Sequence, residues 1–208
     1  MSYFALKSDC VFCIPQGIDA DLLRELLAGY TCGSEFLFKS NGSACEILVG
    51  VVPDEREPCP KDTSVLTVTE RGIRIVGADT AATVRGFITM LEKIEYDRDT
   101  DAFRIPCGQF TETPEMAFRA VHLCLFPETS LHFIRKCIRV CGVAKYSHIV
   151  LEFWGMLKLD CMAELAWPFA HTKEEIRPLI AEAKALGMEI IPMFNHLGHA
   201  VLSPRIIF

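Results

Sequence analysis

Asn195-His196-Leu197-Gly198-His199 is the densest polar cluster in this 208-residue chain. Gly198 permits a tight turn, and His199 can hold a proton, orient a carboxylate or bond a hydroxyl. A loop histidine can equally do no more than satisfy carbonyls. The His196-x-x-His199 spacing suits a metal ion, but no third ligand stands nearby, so no metal is expected. Glu152 and Trp154 lie two apart in an apolar run, a spacing that puts both on one face of a strand. The carboxylate then either lines a site beside an indole platform or pairs with a basic neighbour, because a buried unpaired carboxylate is costly. Arg119, between Phe118 and Ala120, can bond ligand hydroxyls or carboxylates through its fork of donors, or can pair with Glu152 itself. Trp167-Pro168 can wall a pocket or pack on the surface. His122, His132, His148 and His171 show no constellation and read as structural or exposed. Cys10-Val-Phe-Cys13 has the spacing of a redox or zinc pair, yet no second such pair exists, so reduced, buried thiols are expected. Cys137 and Cys141 read the same way.

The elements that must position these residues differ between the two parts of the chain. Residues 1–112 hold 11 Lys and Arg against 18 Asp and Glu, net −7, whereas all six histidines and both tryptophans follow residue 112. The first part reads as a small α/β domain. Asp19 caps a helix with the stripe Leu22, Leu23, Leu26 and Leu27, ending near Gly29. Residues 46–52 form a short apolar strand. Ser64–Thr69 and Ile73–Val76 flank Glu70-Arg71-Gly72 as a hairpin. Asp79 caps a second helix with the stripe Ala82, Phe87, Met90, Leu91 and Ile94, and Phe103–Ile105 is a strand after a polar turn. No residue in this part suggests catalysis.

The second part, 113–208, has a βα rhythm. Strands are expected at 118–125, 148–154 and 188–194. Ser130 caps one helix, with Leu131, Ile134, Ile138 and Cys141 on one face and Gly142 as its terminal glycine. Thr172 and Glu175 form a capping box for the next, which ends near Gly187. Pro178 lies deep inside that helix, so a later start is expected. Near-continuous apolar strands alternating with helices predict a parallel, helix-covered layer. Ligands of such layers sit at the carboxyl ends of the strands. An eight-stranded barrel needs about 250 residues; the stretch after residue 112 has room for three βα units, or for a small open layer.

Composition narrows the class. With 50% hydrophobic and 23% charged residues, the chain is neither disordered, collagen-like nor a coiled coil. Its net charge of −6 argues against a nucleic-acid partner. No apolar run approaches the roughly 20 residues of a membrane helix. The amino terminus lacks a secretory pattern, which predicts a cytoplasmic protein.

Several short motifs then become familiar. Ile191-Pro192-Met193-Phe194-Asn195-His196-Leu197-Gly198-His199-Ala200 resembles the Ile-Pro-x-x-Asp-x-Pro-Gly-His-Ala segment of glycoside hydrolase family 20, the β-N-acetylhexosaminidases. Val65-Leu-Thr-Val68, Gly72-Ile-Arg-Ile-Val76 and Gly86-Phe-Ile-Thr-Met-Leu91 resemble that family's small zincin-like domain. Ile105-Pro106 and Phe118-Arg119 stand where it leads into a (β/α)8 barrel. The chain departs from the pattern at Asn195, at Leu197 and around 151–154, where the family's His-x-His and Asp are missing.

The resemblance implies a zincin-like domain at 1–112 and an incomplete TIM barrel at 113–208. It implies an N-acetylhexosamine-containing glycan as partner, no cofactor, and substrate-assisted hydrolysis in which the sugar's acetamido oxygen attacks the anomeric carbon. Arg119 would contact sugar hydroxyls and His199 would support the hydrogen-bond network, with Glu152, Trp154, Asn195 and His196 beside the substrate. The family's catalytic Asp-Glu pair has no counterpart after residue 112, so this polypeptide is expected to be inactive alone. A non-catalytic carbohydrate-binding or regulatory protein is the alternative. An open layer also predicts self-association through an exposed barrel edge.

Overall fold

The computed structural model describes residues 2–40, 45–51 and 62–194. The chain divides into two compact units, one ending at Ala117 and the other starting at Phe118.

The first unit runs β1 (Tyr3–Leu6), β2 (Val11–Ile14), α1 (Ala20–Tyr30), β3 (Leu37–Ser40), β4 (Ile47–Val51), β5 (Ser64–Thr69), β6 (Gly72–Gly77), α2 (Thr80–Glu92), β7 (Glu95–Asp97), β8 (Ala102–Pro106) and β9 (Gly108–Glu112). Six strands form one sheet in the order β3-β2-β4-β6-β5-β9, and β1-β8-β7 form a second. The expected hairpin is present, with Thr69 opposite Gly72. Asp19 accepts from the Asp21 and Leu22 amides, and Leu22, Leu23, Leu26 and Leu27 are buried, as the leucine stripe predicts. Asp79 caps α2, but that helix is not merely amphipathic: every residue from Ala82 to Leu91 is buried. Its polar members are tolerated because each is bonded. Arg85 reaches Asp62 at 3.1 Å, and the Thr89 hydroxyl donates to the Arg85 carbonyl. Phe12, fully buried, stacks on Phe38 at 4.8 Å and meets Phe36 edge-on.

One expectation is overturned here. Cys13 is joined to Cys45 in a disulfide, so the Cys10-x-x-Cys13 spacing marks neither a reduced pair nor a metal clip. Strand β2 lies next to β4, which brings the two sulfurs together across a separation of 32 residues. Cys10 keeps its thiol, which burial pushes up in pKa.

The second unit contains β10 (Ala120–Cys124), α3 (Leu131–Val143), β11 (His148–Glu152), a 3-10 turn at Asp160–Leu165, α4 (Lys173–Ala185) and β12 (Glu189–Met193). Its three strands are parallel in the order β10-β11-β12, with Cys124 opposite Glu152 and Glu152 opposite Met193. Ile134, Ile138 and Cys141 of α3 and Ile176, Leu179 and Ala183 of α4 are buried. Glu182, on α4, accepts from both Arg135 and Arg139 on α3.

Two details differ from the sequence reading. Helix α4 does start at Lys173 with Pro178 inside it, because the Thr172–Glu175 capping box is complete and fixes the first turn. Gly142 is not a terminal cap. It is buried within α3, where a Cβ would meet Leu186 Cδ1 at 2.9 Å, and the left-handed residue after the helix is Lys145. Gly187 does end α4, with φ 79° and the Met188 amide returning to the Ala183 carbonyl.

Candidate functional site

The carboxyl ends of β10 and β11 carry the chemistry of the second unit. His122 and Cys124 are two apart on β10 and so share a face, and Glu152 is in register with Cys124 on the neighbouring strand. Three side chains thereby converge. Glu152 Oε2 lies 2.8 Å from His122 Nε2 and accepts from the Cys124 thiol at 2.9 Å. Cys124 Sγ and His122 Nε2 are 3.6 Å apart. Glu152 is 4% exposed, so these partners answer the cost of burying its carboxylate. The expectation that His122 belongs to no constellation is thus corrected. What sequence could have offered was the His-x-Cys alternation; the register that adds Glu152 is a property of the sheet.

The arrangement is not a nucleophile relay. In a relay the imidazole receives the nucleophile's proton at one nitrogen while a carboxylate holds the other. Here sulfur and carboxylate both face the same Nε2. Burial, and then the Glu152 hydrogen bond, push the Cys124 thiol up in pKa, opposite to an activated thiolate.

Trp154 reaches this end of the sheet by a different route from the one expected. Alternation stops at Glu152. Trp154 (φ 45°) and Gly155 (φ 77°) both take left-handed backbone and turn the chain. A shared strand face therefore does not apply to Glu152 and Trp154. The turn sets the half-buried indole 5.6 Å from the Phe126 ring. The Trp154 carbonyl accepts from the Trp167 indole at 3.1 Å. Trp167 and Pro168 do wall a pocket, a concavity of about 430 Å³ that is also lined by Lys158, Leu159, Asp160, Ala163 and Ala166.

Arg119 is at the other end of the strands. It precedes β10, five residues from Cys124, or roughly 16 Å of strand. Its amide donates to Ser147 Oγ at 2.8 Å and its Nε donates to the Lys145 carbonyl at 2.9 Å. The structure does not bring it to Glu152, so the alternative of an Arg119–Glu152 ion pair is corrected. His148, beside Ser147 and Glu189, belongs to this amino-terminal end. Asn195, His196 and His199 lie outside the described residues.

A mixed α/β fold of this make-up is that of the family 20 glycoside hydrolases. Among solved structures, the chitobiase of Flavobacterium johnsoniae matches 98% of this chain at a TM-score of 0.76 and 18% identity, over 34% of its own length. The β-N-acetylhexosaminidase of Streptomyces coelicolor matches 96% at 0.77 and 18% identity, over 45% of its length. The Streptomyces plicatus N-acetyl-β-hexosaminidase, solved with Thio-NAglucal, matches 97% at 0.78 and 16% identity, over 44% of its length. At these identities the likeness is one of fold, and this chain spans less than half of each of those structures. The sequence matches no protein-family model and no curated protein.

Proposed function

We propose that this chain is the amino-terminal part of a β-N-acetylhexosaminidase-like glycoside hydrolase. The observation that carries the reading is the parallel β10-β11-β12 layer under α3 and α4, within a fold that follows family 20 structures along almost all of this chain and less than half of theirs. Residues 1–112 take the place of the zincin-like domain, and 113–208 take that of the opening three βα units of the barrel. The partner is a glycan ending in N-acetylhexosamine.

Within this reading Trp154 is the stacking platform, since indole faces suit the apolar faces of sugar rings. Glu152 is held by His122 and Cys124, so it shapes the strand end more than it offers a free carboxylate. Asn195, His196 and His199 remain in the proposed contact set on their sequence motif. Arg119 fits it least, lying at the amino-terminal end of β10. Half-exposed Ile191, Met193 and Phe194 add apolar surface at the β12 end, which supports self-association.

The test is a titration with N-acetylglucosamine, followed at the two indole N–H resonances. A saturable shift at Trp154 is expected, abolished in Trp154→Ala. Two indoles that stay unmoved to saturating sugar would overturn the assignment of carbohydrate to these strand ends. Binding lost in His199→Ala, in a preparation that never turns over substrate, is also what the non-catalytic alternative requires.

A further inference from the structure

The His122, Cys124 and Glu152 cluster has a property that a carbohydrate contact does not need. One ligand atom from each residue lies within 4.8 Å of both others. We propose that these three side chains form a binding site for a single divalent ion of the zinc class, with His122 Nε2, Cys124 Sγ and Glu152 Oε2 as the protein ligands.

A tetrahedral zinc with ordinary bond lengths sets its ligand atoms about 3.3–3.6 Å apart. The Sγ to Nε2 separation is already 3.6 Å. Oε2 stands closer to both, at 2.8 and 2.9 Å, because protons now fill the space that an ion would take. To admit the ion, Oε2 must withdraw by about 0.5 Å, a small swing of one side chain. The ligands sit on two hydrogen-bonded strands, so their backbones are fixed before an ion arrives.

A thiolate and a carboxylate cancel the charge of a divalent ion, and neutral imidazole adds no more. One sulfur, one nitrogen and one oxygen suit zinc, whereas magnesium and calcium select oxygen ligands. Binding forms three coordinate bonds. The Cys124 proton leaves to solvent, the neutral imidazole shifts its proton from Nε2 to Nδ1, and no electron changes hands. The His122 side chain is 47% exposed, so the site is reached from solvent and its fourth position is filled by water.

This inference does not rest on the carbohydrate reading, and its test contains no sugar. The zinc-depleted 208-residue chain is titrated with Co²⁺, and the sulfur-to-cobalt charge-transfer absorption is followed, then displaced with Zn²⁺. The expected result is a band that saturates at one equivalent and is lost in Cys124→Ala. In His122→Ala, which removes a half-exposed side chain and leaves the fold intact by circular dichroism, affinity falls at least about tenfold. Cys10, Cys32, Cys107, Cys137, Cys141 and Cys161 are unchanged in both variants and supply the baseline. A band of equal strength and affinity in folded His122→Ala, or no band in the unaltered chain, would overturn the proposal.

Discussion

Gly77→Ala is expected to destabilise the first unit by about 3 kcal/mol or more, the upper range for overpacking a filled site. Gly77 ends β6, and an added Cβ would stand 2.3 Å from the Thr83 amide nitrogen and 2.7 Å from the Ala82 carbonyl carbon. Those are backbone atoms of the first turn of α2, and they cannot rotate aside as a side-chain tip can. The same turn is held by the Asp79 cap and by the Thr83 hydroxyl, which lies 3.2 Å from the Gly50 carbonyl. Relieving the clash therefore means moving the one helix that the sheet buries most completely. Gly50→Ala is the control: nothing stands within 4 Å of its Cβ position. It should shift stability by less than about 1 kcal/mol in either direction. Urea unfolding of the two variants separates the cases, and equal midpoints would contradict this account of the β6–α2 junction.

Loss of the Cys13–Cys45 disulfide carries the next largest expected effect. The bond closes a loop across 32 residues, for which the chain-entropy relation gives about 3–4 kcal/mol. Replacing both cysteines by alanine should lower the unfolding free energy by that amount and shift the denaturation midpoint down accordingly. Adding reductant to the unaltered chain should do the same, and reductant should leave the double variant unmoved. Mass spectrometry after alkylation reads the bond directly, as a pair of thiols protected until reduction. An unchanged midpoint together with free Cys13 and Cys45 would show the pair to be reduced in solution. A bond that persists in the producing cell would place the chain in an oxidising compartment, and the proposed cytoplasmic location would then fail.

Local signals carried much of this fold. Asp19, Asp79, Ser130 and Thr172 were legible as caps because each side chain bonds an amide within three residues of itself. The Thr69–Gly72 hairpin and the glycine stop at Gly187 are equally local. The parallel order β10-β11-β12 followed from apolar strands spaced by helices. What sequence did not disclose depends on partners far along the chain. Strand β1 pairs with β8, Tyr3 opposite Pro106, and four residues have too little pattern to announce that. Val11–Ile14 drew notice for its cysteine spacing, while its strand character comes from neighbours β3 and β4.

The site shows the same division. Glu152 stood out as a carboxylate at the end of an apolar strand, and it is buried there. Its partners did not stand out, because His122 and Cys124 become its neighbours only through the register between β10 and β11. Trp154 follows β11, but two left-handed residues rather than strand alternation set its direction. Arg119 and Glu152 are complementary in charge, but the length of β10 holds them at opposite strand ends.

We propose that this chain, whose fold resembles the amino-terminal part of family 20 hexosaminidases, does not hydrolyse their substrates by itself. In the proposed whole enzyme an Asp-Glu pair orients the acetamido group and protonates the leaving oxygen, and no Asp-Glu dipeptide occurs after residue 112 here. The direct measurement is release of chromophore from a chromogenic β-N-acetylglucosaminide by the purified 208-residue chain. The account predicts a rate equal to the enzyme-free blank. Turnover that follows the pure protein through successive columns would contradict it.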